Sequence, residues 1–176
     1  MGVKDYLVKA EFDPQEVLDK ISVQLKLLGK NVRPVSLKKD EISTNGKTID
    51  PKAFRVLLVE DDSFLRDLIS QKLMKEEFRV TQAFDGEDGL RKIFQEKPHI
   101  VLLDLILPGF DGFEVLQKIR SNEATKTTPI IILSNLGQKD DIEKGLRLGA
   151  TDYLVKAHNT PGEIIDKVKA VLAKAY

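Results

Sequence analysis

The chain has 176 residues, 41% of them hydrophobic, enough for one domain with its own core and an appendage. Lys and Arg number 28, as do Asp and Glu, so the net charge is zero and no overall field draws the chain to nucleic acid or an anionic membrane. The sequence has no cysteine, which excludes disulfides and thiol chemistry, and no signal-peptide core or apolar run near the ~20 residues a bilayer span needs, so a cytoplasmic protein without membrane contact is expected.

In chain order, residues 5–9 (Asp-Tyr-Leu-Val-Lys) predict a short strand. Asp13 then caps a helix with Pro14 at its first position; Val17, Leu18, Ile21, Leu25 and Leu28 share one face and Gly29 ends it. Residues 1–29 are thus expected to form a βα unit. Residues 30–52 carry no period and several breakers, among them Asn45-Gly46 and Asp50-Pro51, and are expected to be a linker.

Residues 53–176 form the main domain. Strands are expected from Phe54 to Val59, Arg79 to Phe84, His99 to Asp104, Pro129 to Leu133 and Asp152 to Val155. Helices are expected from Ser63 to Glu76, Gly86 to Glu96, Gly112 to Arg120, over 138–148, and from Pro161 to Lys174. Strict alternation forces parallel pairing through right-handed crossovers, so the fold class is α/β. A doubly wound, five-stranded parallel sheet of flavodoxin-like order 2-1-3-4-5 places a cleft where strands 1 and 3 diverge.

The run Ile100-Val101-Leu102-Leu103, between Pro98 and a Pro-Gly-Phe-Asp-Gly turn, reads as a strand buried on both faces, with Asp104 at its carboxyl end. By itself Asp104 also fits a carboxylate that caps the turn. Strand 1 ends in Glu60-Asp61-Asp62, which by itself also fits an acidic helix N-terminus capped by Asp62 or Ser63. In the order 2-1-3-4-5 these ends are neighbours, and carboxylates so close repel unless a cation neutralises them. Mg²⁺ suits a site of few carboxylates and several waters. Ser134 and Lys156 stand at the same edge, at the ends of strands 4 and 5, where a hydroxyl and an ammonium would serve a phosphoryl group.

Val-Leu-Leu-Val-Glu-Asp-Asp at 56–62, Ile-Val-Leu-Leu-Asp-Leu-Ile-Leu-Pro-Gly-Phe-Asp-Gly at 100–112, Pro-Ile-Ile-Ile-Leu-Ser at 129–134 and Gly-Ala-Thr-Asp-Tyr-Leu-Val-Lys at 149–156 resemble the receiver domain of two-component response regulators. The resemblance implies that Asp104 is the phosphoacceptor, taking its phosphoryl group from a phosphohistidine on a sensor histidine kinase or histidine phosphotransfer protein. It further implies that Glu60, Asp61, Asp104 and the backbone carbonyl of Ile106 hold Mg²⁺. Ser134 would bind a phosphoryl oxygen, Lys156 would pair with the phosphate, and Tyr153 would be an aromatic switch that responds to Ser134. Such a protein is no enzyme in the ordinary sense, though it assists its own phosphorylation and dephosphorylation. Two positions depart from the pattern: Ala157 stands where the family usually has proline, and Asn135 where it usually has a small residue. His99 falls at the wrong end of its strand for the site, and His158 is peripheral to it.

Residues 2–10 repeat residues 149–157 almost letter for letter, and the register of 147 persists without a gap, so that 12 of the 24 positions from 2 to 25 are identical. Residues 2–28 therefore resemble the last strand and helix of a second receiver. Such a unit cannot bury its own apolar face, which makes a homodimer through it an expectation. With nothing after the last helix, output is expected through an unknown downstream protein, without direct DNA binding. Two other classes compete with the phosphoacceptor. A pseudo-receiver acting only as an interaction module would not need the set Glu60, Asp61, Asp104, Ser134 and Lys156. A hydrolase of the haloacid-dehalogenase type would want a second Asp two residues after the first, where Ile106 stands.

Overall fold

The computed structural model describes residues 49–176. The expected βα unit at 1–29, most of the linker at 30–52, and the homodimer contact through that unit lie outside the described residues. A single 3₁₀ turn, Pro51–Ala53, leads into the sheet.

The strands are β1 (Arg55–Val59), β2 (Arg79–Ala83), β3 (Ile100–Leu103), β4 (Ile130–Ser134) and β5 (Asp152–Val155). The helices between and after them are α1 (Ser63–Lys75), α2 (Gly86–Glu96), α3 (Gly112–Arg120), α4 (Lys139–Arg147) and α5 (Pro161–Ala175). The sheet order is β2-β1-β3-β4-β5 and every pairing is parallel. Val59 is in register with Leu103, so β1 and β3 end side by side and the residues that follow them share one edge.

The apolar strands are buried because helices cover both faces of the sheet. Val56, Leu58, Ile100, Leu102, Ile131 and Leu133 pack on one side against Ile69 and Leu73 of α1 and Ile164, Ile165, Val168 and Leu172 of α5. Leu57, Val59, Val101, Leu103, Ile130 and Ile132 pack on the other against Leu90 and Ile93 of α2 and Phe113, Leu116 and Ile119 of α3. Alternate residues of each strand thus serve opposite cores, as a period of two requires.

Side chains cap four of the five helices. Asp62, Asp85, Asp111 and Thr160 accept from backbone N–H groups three residues on, and Asp111–Glu114 and Thr160–Glu163 form reciprocal capping boxes. Gly112 starts α3 directly under the end of β3. A Cβ there would overlap the Asp104 carbonyl oxygen and Leu105 Cα, so only glycine lets the helix begin so close to the strand end. At the far end of the sheet His99 accepts the Arg55 N–H on Nδ1 at 3.0 Å and packs edge-on against both Phe54 and Tyr176, a packing role away from the cleft. Among the described residues no helix is long and apolar enough to cross a membrane.

Candidate functional site

The site is built from the carboxyl ends of four strands. β1 delivers Glu60, whose N–H bonds the Ala83 carbonyl of β2 and whose side chain is 1% exposed. β3 delivers Asp104, whose N–H bonds the Val59 carbonyl, so the two acids are fixed by the same backbone ladder. Ligand oxygens of Glu60, Asp61 and Asp104 lie within 4.8 Å of one another. Asp62, the next acid in the run, turns away and caps α1 by accepting the Leu65 N–H at 2.9 Å. The acidic run therefore splits between the two roles its sequence allowed.

Lys156, just past β5, reaches back across the sheet edge to both buried acids. Its Nζ lies 2.6 Å from Asp104 Oδ2, 2.8 Å from Glu60 Oε1 and 2.7 Å from Glu60 Oε2. The second Glu60 oxygen has this ammonium in ion-pair range but no directed hydrogen bond. The other Asp104 oxygen, Oδ1, accepts the N–H groups of Leu105 at 2.6 Å and Ile106 at 3.2 Å. One oxygen is thus held by the backbone and the other faces the cation. Lys156 itself opens a single 3₁₀ turn, Lys156–His158, and every peptide bond among the described residues is trans.

Burial lifts the Glu60 carboxyl to about 7, with the nearby Asp104 charge adding to the effect and Lys156 opposing it. Burial works against the Lys156 ammonium, but the hydrogen bonds and charges of Asp104 and Glu60 outweigh it and raise its pKa above the usual lysine value. When both buried acids are ionised, the one ammonium they share leaves an excess of negative charge, to which exposed Asp61 adds at the rim. All the donors are hard oxygens, one with no directed partner, so the residues fit a small divalent cation.

Ser134 ends β4, fully buried, and its Oγ accepts the Leu136 N–H at 3.4 Å. Tyr153 of β5 is 9% exposed and points into the core, its hydroxyl donating to the Leu136 carbonyl at 2.6 Å. Gly145 of α4 makes room for that ring, since a Cβ there would crowd the Tyr153 edge and Ile132. Burial, and then the charge of Asp141, push the Tyr153 hydroxyl above its ordinary value. Ile106 stands two residues after Asp104 with 55% of its surface exposed.

The structure thus brings Glu60, Asp61, Asp104 and Lys156 into one cluster, and places Ser134 and Tyr153 along the same sheet edge. Arg66 is a member that the motifs did not reveal. From the first turns of α1 its guanidinium donates to the carbonyls of Glu60 at 2.9 Å and Asp61 at 3.2 Å, tying down the loop that presents both acids. A basic residue on the helix that follows an acidic run was the available signal.

The family model for the response regulator receiver domain matches residues 56–169. The transcriptional regulatory protein AfsQ1 of Streptomyces coelicolor is 39% identical over 120 residues, which cover 68% of this chain and 51% of that protein. The DNA-binding dual master transcriptional regulator RpaA of Synechocystis is 38% identical over 120 residues, covering 68% and 49%. Among solved structures, the receiver domain of Francisella response regulator 1452 is 30% identical with a TM-score of 0.63, covering 69% of this chain and 97% of that one.

These relatives correct one expectation. Output without DNA binding is what the residues present and their balanced charge lead one to expect, yet the similar proteins are named as transcriptional regulators, one of them as DNA-binding. The chain spans about half the length of these curated relatives, so its own charge and last helix do not bear on how the longer proteins act. The shared span is the sheet with its acidic edge, and the chain belongs to the receiver-domain family of two-component response regulators.

Proposed function

We propose that the chain accepts a phosphoryl group on Asp104 from a phosphohistidine donor, within a two-component phosphorelay. The observation that carries this reading is the placement of Asp104 Oδ2: it is buried, turned toward Lys156 Nζ at 2.6 Å, and next to two further carboxylates. In the transfer, the Asp104 carboxylate forms a bond to phosphorus as the donor's phosphorus–nitrogen bond breaks, and the departing imidazole takes a proton from solvent. The product is an acyl phosphate.

The obstacle is charge, because a carboxylate must approach a phosphoryl group that is itself anionic. Lys156 offsets part of that repulsion and is positioned to follow the phosphoryl oxygens. Glu60, Asp61, Asp104 and the Ile106 carbonyl would hold Mg²⁺, which supplies the remaining neutralisation when bound. Ser134 would donate its hydroxyl to a phosphoryl oxygen, and Tyr153, whose hydroxyl is tied to the loop after Ser134, would relay that movement to the surface. Residues 2–28 would be the last βα unit of a second receiver, a reading supported by their 12 identities with residues 2–25 set against 149–172.

The test is uptake of phosphate from a small acyl phosphate with Mg²⁺, compared between the unaltered chain and Asp104→Asn. The reading expects uptake by the first and none by the second. Equal uptake by both would place the acceptor elsewhere.

A further inference from the structure

Apart from the cluster around Asp104, the turn after β2 and the loop after β3 meet around a cavity of about 300 Å³. Asp85, Glu87, Pro108, Gly109 and Phe110 line it. The two segments touch at Gly86, where a Cβ would overlap the Phe110 carbonyl oxygen. Glycine therefore sets the cavity's floor by letting the backbones approach this closely.

The lining combines unpaired negative charge with an aromatic ring. The next cations along α2, Arg91 and Lys92, are both engaged with buried Asp88, Lys92 at 2.7 Å. Asp85 Oδ1 accepts the Asp88 N–H at 2.7 Å and so caps the helix. Neither Asp85 nor Glu87 has an ion pair among the described residues. Both also stand apart from Glu60, Asp61 and Asp104, the acids close enough to share a metal ion. Phe110 is 37% exposed, and it already attracts a cation: Lys118 of α3 holds its Nζ 4.8 Å from the ring centroid. Lys118 is exposed and has no acidic partner among the described residues, so the ring alone accounts for its position. The ring and the carboxylates point independently to a cationic ligand.

A guanidinium meets both features at once, because it is a plane that stacks on an aromatic ring and a fork that bonds carboxylate. At about 300 Å³ the cavity is at the small end of ligand pockets. Glu87, Pro108, Gly109 and Phe110 are all exposed, so its mouth is open. Such a site suits one side chain carried in on a protein surface better than an enclosed small molecule. Arginine is also among the residues that most often anchor protein interfaces.

We propose that the cavity between the β2–α2 turn and the β3–α3 loop is a docking site for a protruding arginine of a partner protein. Phe110 is the ring it stacks on, and Asp85 and Glu87 take its charge. The site works whether or not Asp104 accepts phosphate.

The test is titration of the isotope-labelled full-length chain with the capped tripeptide N-acetyl-Gly-Arg-Gly-amide, followed by amide NMR shifts. A control peptide carries citrulline, which keeps the shape of arginine without its charge. Saturable shifts are expected at Gly86, Glu87, Gly109 and Phe110, with the citrulline peptide bound at least about fivefold more weakly. Phe110→Leu and Glu87→Gln should each weaken the arginine peptide about twofold or more, and Lys118→Met should strengthen it by removing a competing cation. All three side chains are exposed, so these variants leave the core untouched. No shift at those amides, equal binding of the two peptides, or an affinity indifferent to both Phe110→Leu and Glu87→Gln overturns the proposal.

Discussion

Lys156 Nζ lies 2.6 Å from Asp104 Oδ2 across 52 residues of chain, and it is the direct cation partner of two side chains that are almost wholly buried. Removing one member of such a cluster leaves uncompensated charge in a low-dielectric setting. Lys156→Met is therefore expected to cost about 3 kcal/mol in the absence of divalent cations, read from urea unfolding. Mg²⁺ should restore more stability to the variant than to the unaltered chain, because it would replace the missing positive charge. Equal responses to Mg²⁺ would separate the cation site from Lys156.

Arg66 touches no ligand atom and acts on the site through two backbone carbonyls. Freed from it, the loop carrying Glu60 and Asp61 has more conformations to give up on binding a cation. Arg66→Ala is expected to weaken Mg²⁺ binding by about tenfold, with Arg66→Lys in between, as measured by titration calorimetry. An unchanged affinity in a folded Arg66→Ala chain would reduce the guanidinium to a packing contact.

Ile106 and Leu136 sit two residues after Asp104 and Ser134, on the two turns that flank the strand ends. Both are apolar, so neither can orient a water for in-line attack on a phosphoryl group. Slow self-dephosphorylation is expected, with Ile106→Asn or Leu136→Glu raising the rate about tenfold by offering water a polar partner. The decay of labelled protein measures this directly. Loss of the phosphate within seconds from the unaltered chain would contradict it.

His99 carries the pH dependence at the opposite end of the sheet. Burial, and then the charge of Arg55, lower its pKa below the ordinary 6.5, consistent with Nδ1 accepting the Arg55 N–H. With the folded value depressed, the stability tied to neutral His99 is fully present above 6.5 and is lost as pH falls through the folded value. His99→Asn keeps an acceptor and removes the titration. The difference in unfolding free energy between the two chains should shrink as pH drops below 6.5, and a difference constant across that range would contradict the assignment.

Most of the sheet could be read in the sequence because its signals are local. Short apolar runs such as those at 56–59, 100–103 and 130–133 fit central strands under two layers of helix, and the capping residues Asp62, Asp111 and Thr160 mark helix starts within a residue or so. Strand ends were less sharp: β2 stops at Ala83, one residue before exposed Phe84, and β4 runs on to Ser134. Those limits depend on which neighbour supplies the next hydrogen bond, a tertiary matter. In the site, the convergence of Glu60, Asp61, Asp104 and Lys156 follows from strand order. The cap at Asp62 was one of the two roles the acidic run allowed, but the grip of Arg66 on the loop carbonyls and the close approach that demands Gly112 do not follow, because each depends on where the folded backbone places carbonyls five to eight residues away.

Asp104 is the side chain expected to become an acyl phosphate. The unaltered full-length chain, phosphorylated with a small acyl phosphate and Mg²⁺ and then cut into peptides, should carry its added mass on the peptide containing Asp104, with fragment ions assigning it to that side chain. Added mass on Asp61, on Ser134 or on any other residue, with Asp104 unmodified, would contradict the assignment of Asp104 as the acceptor.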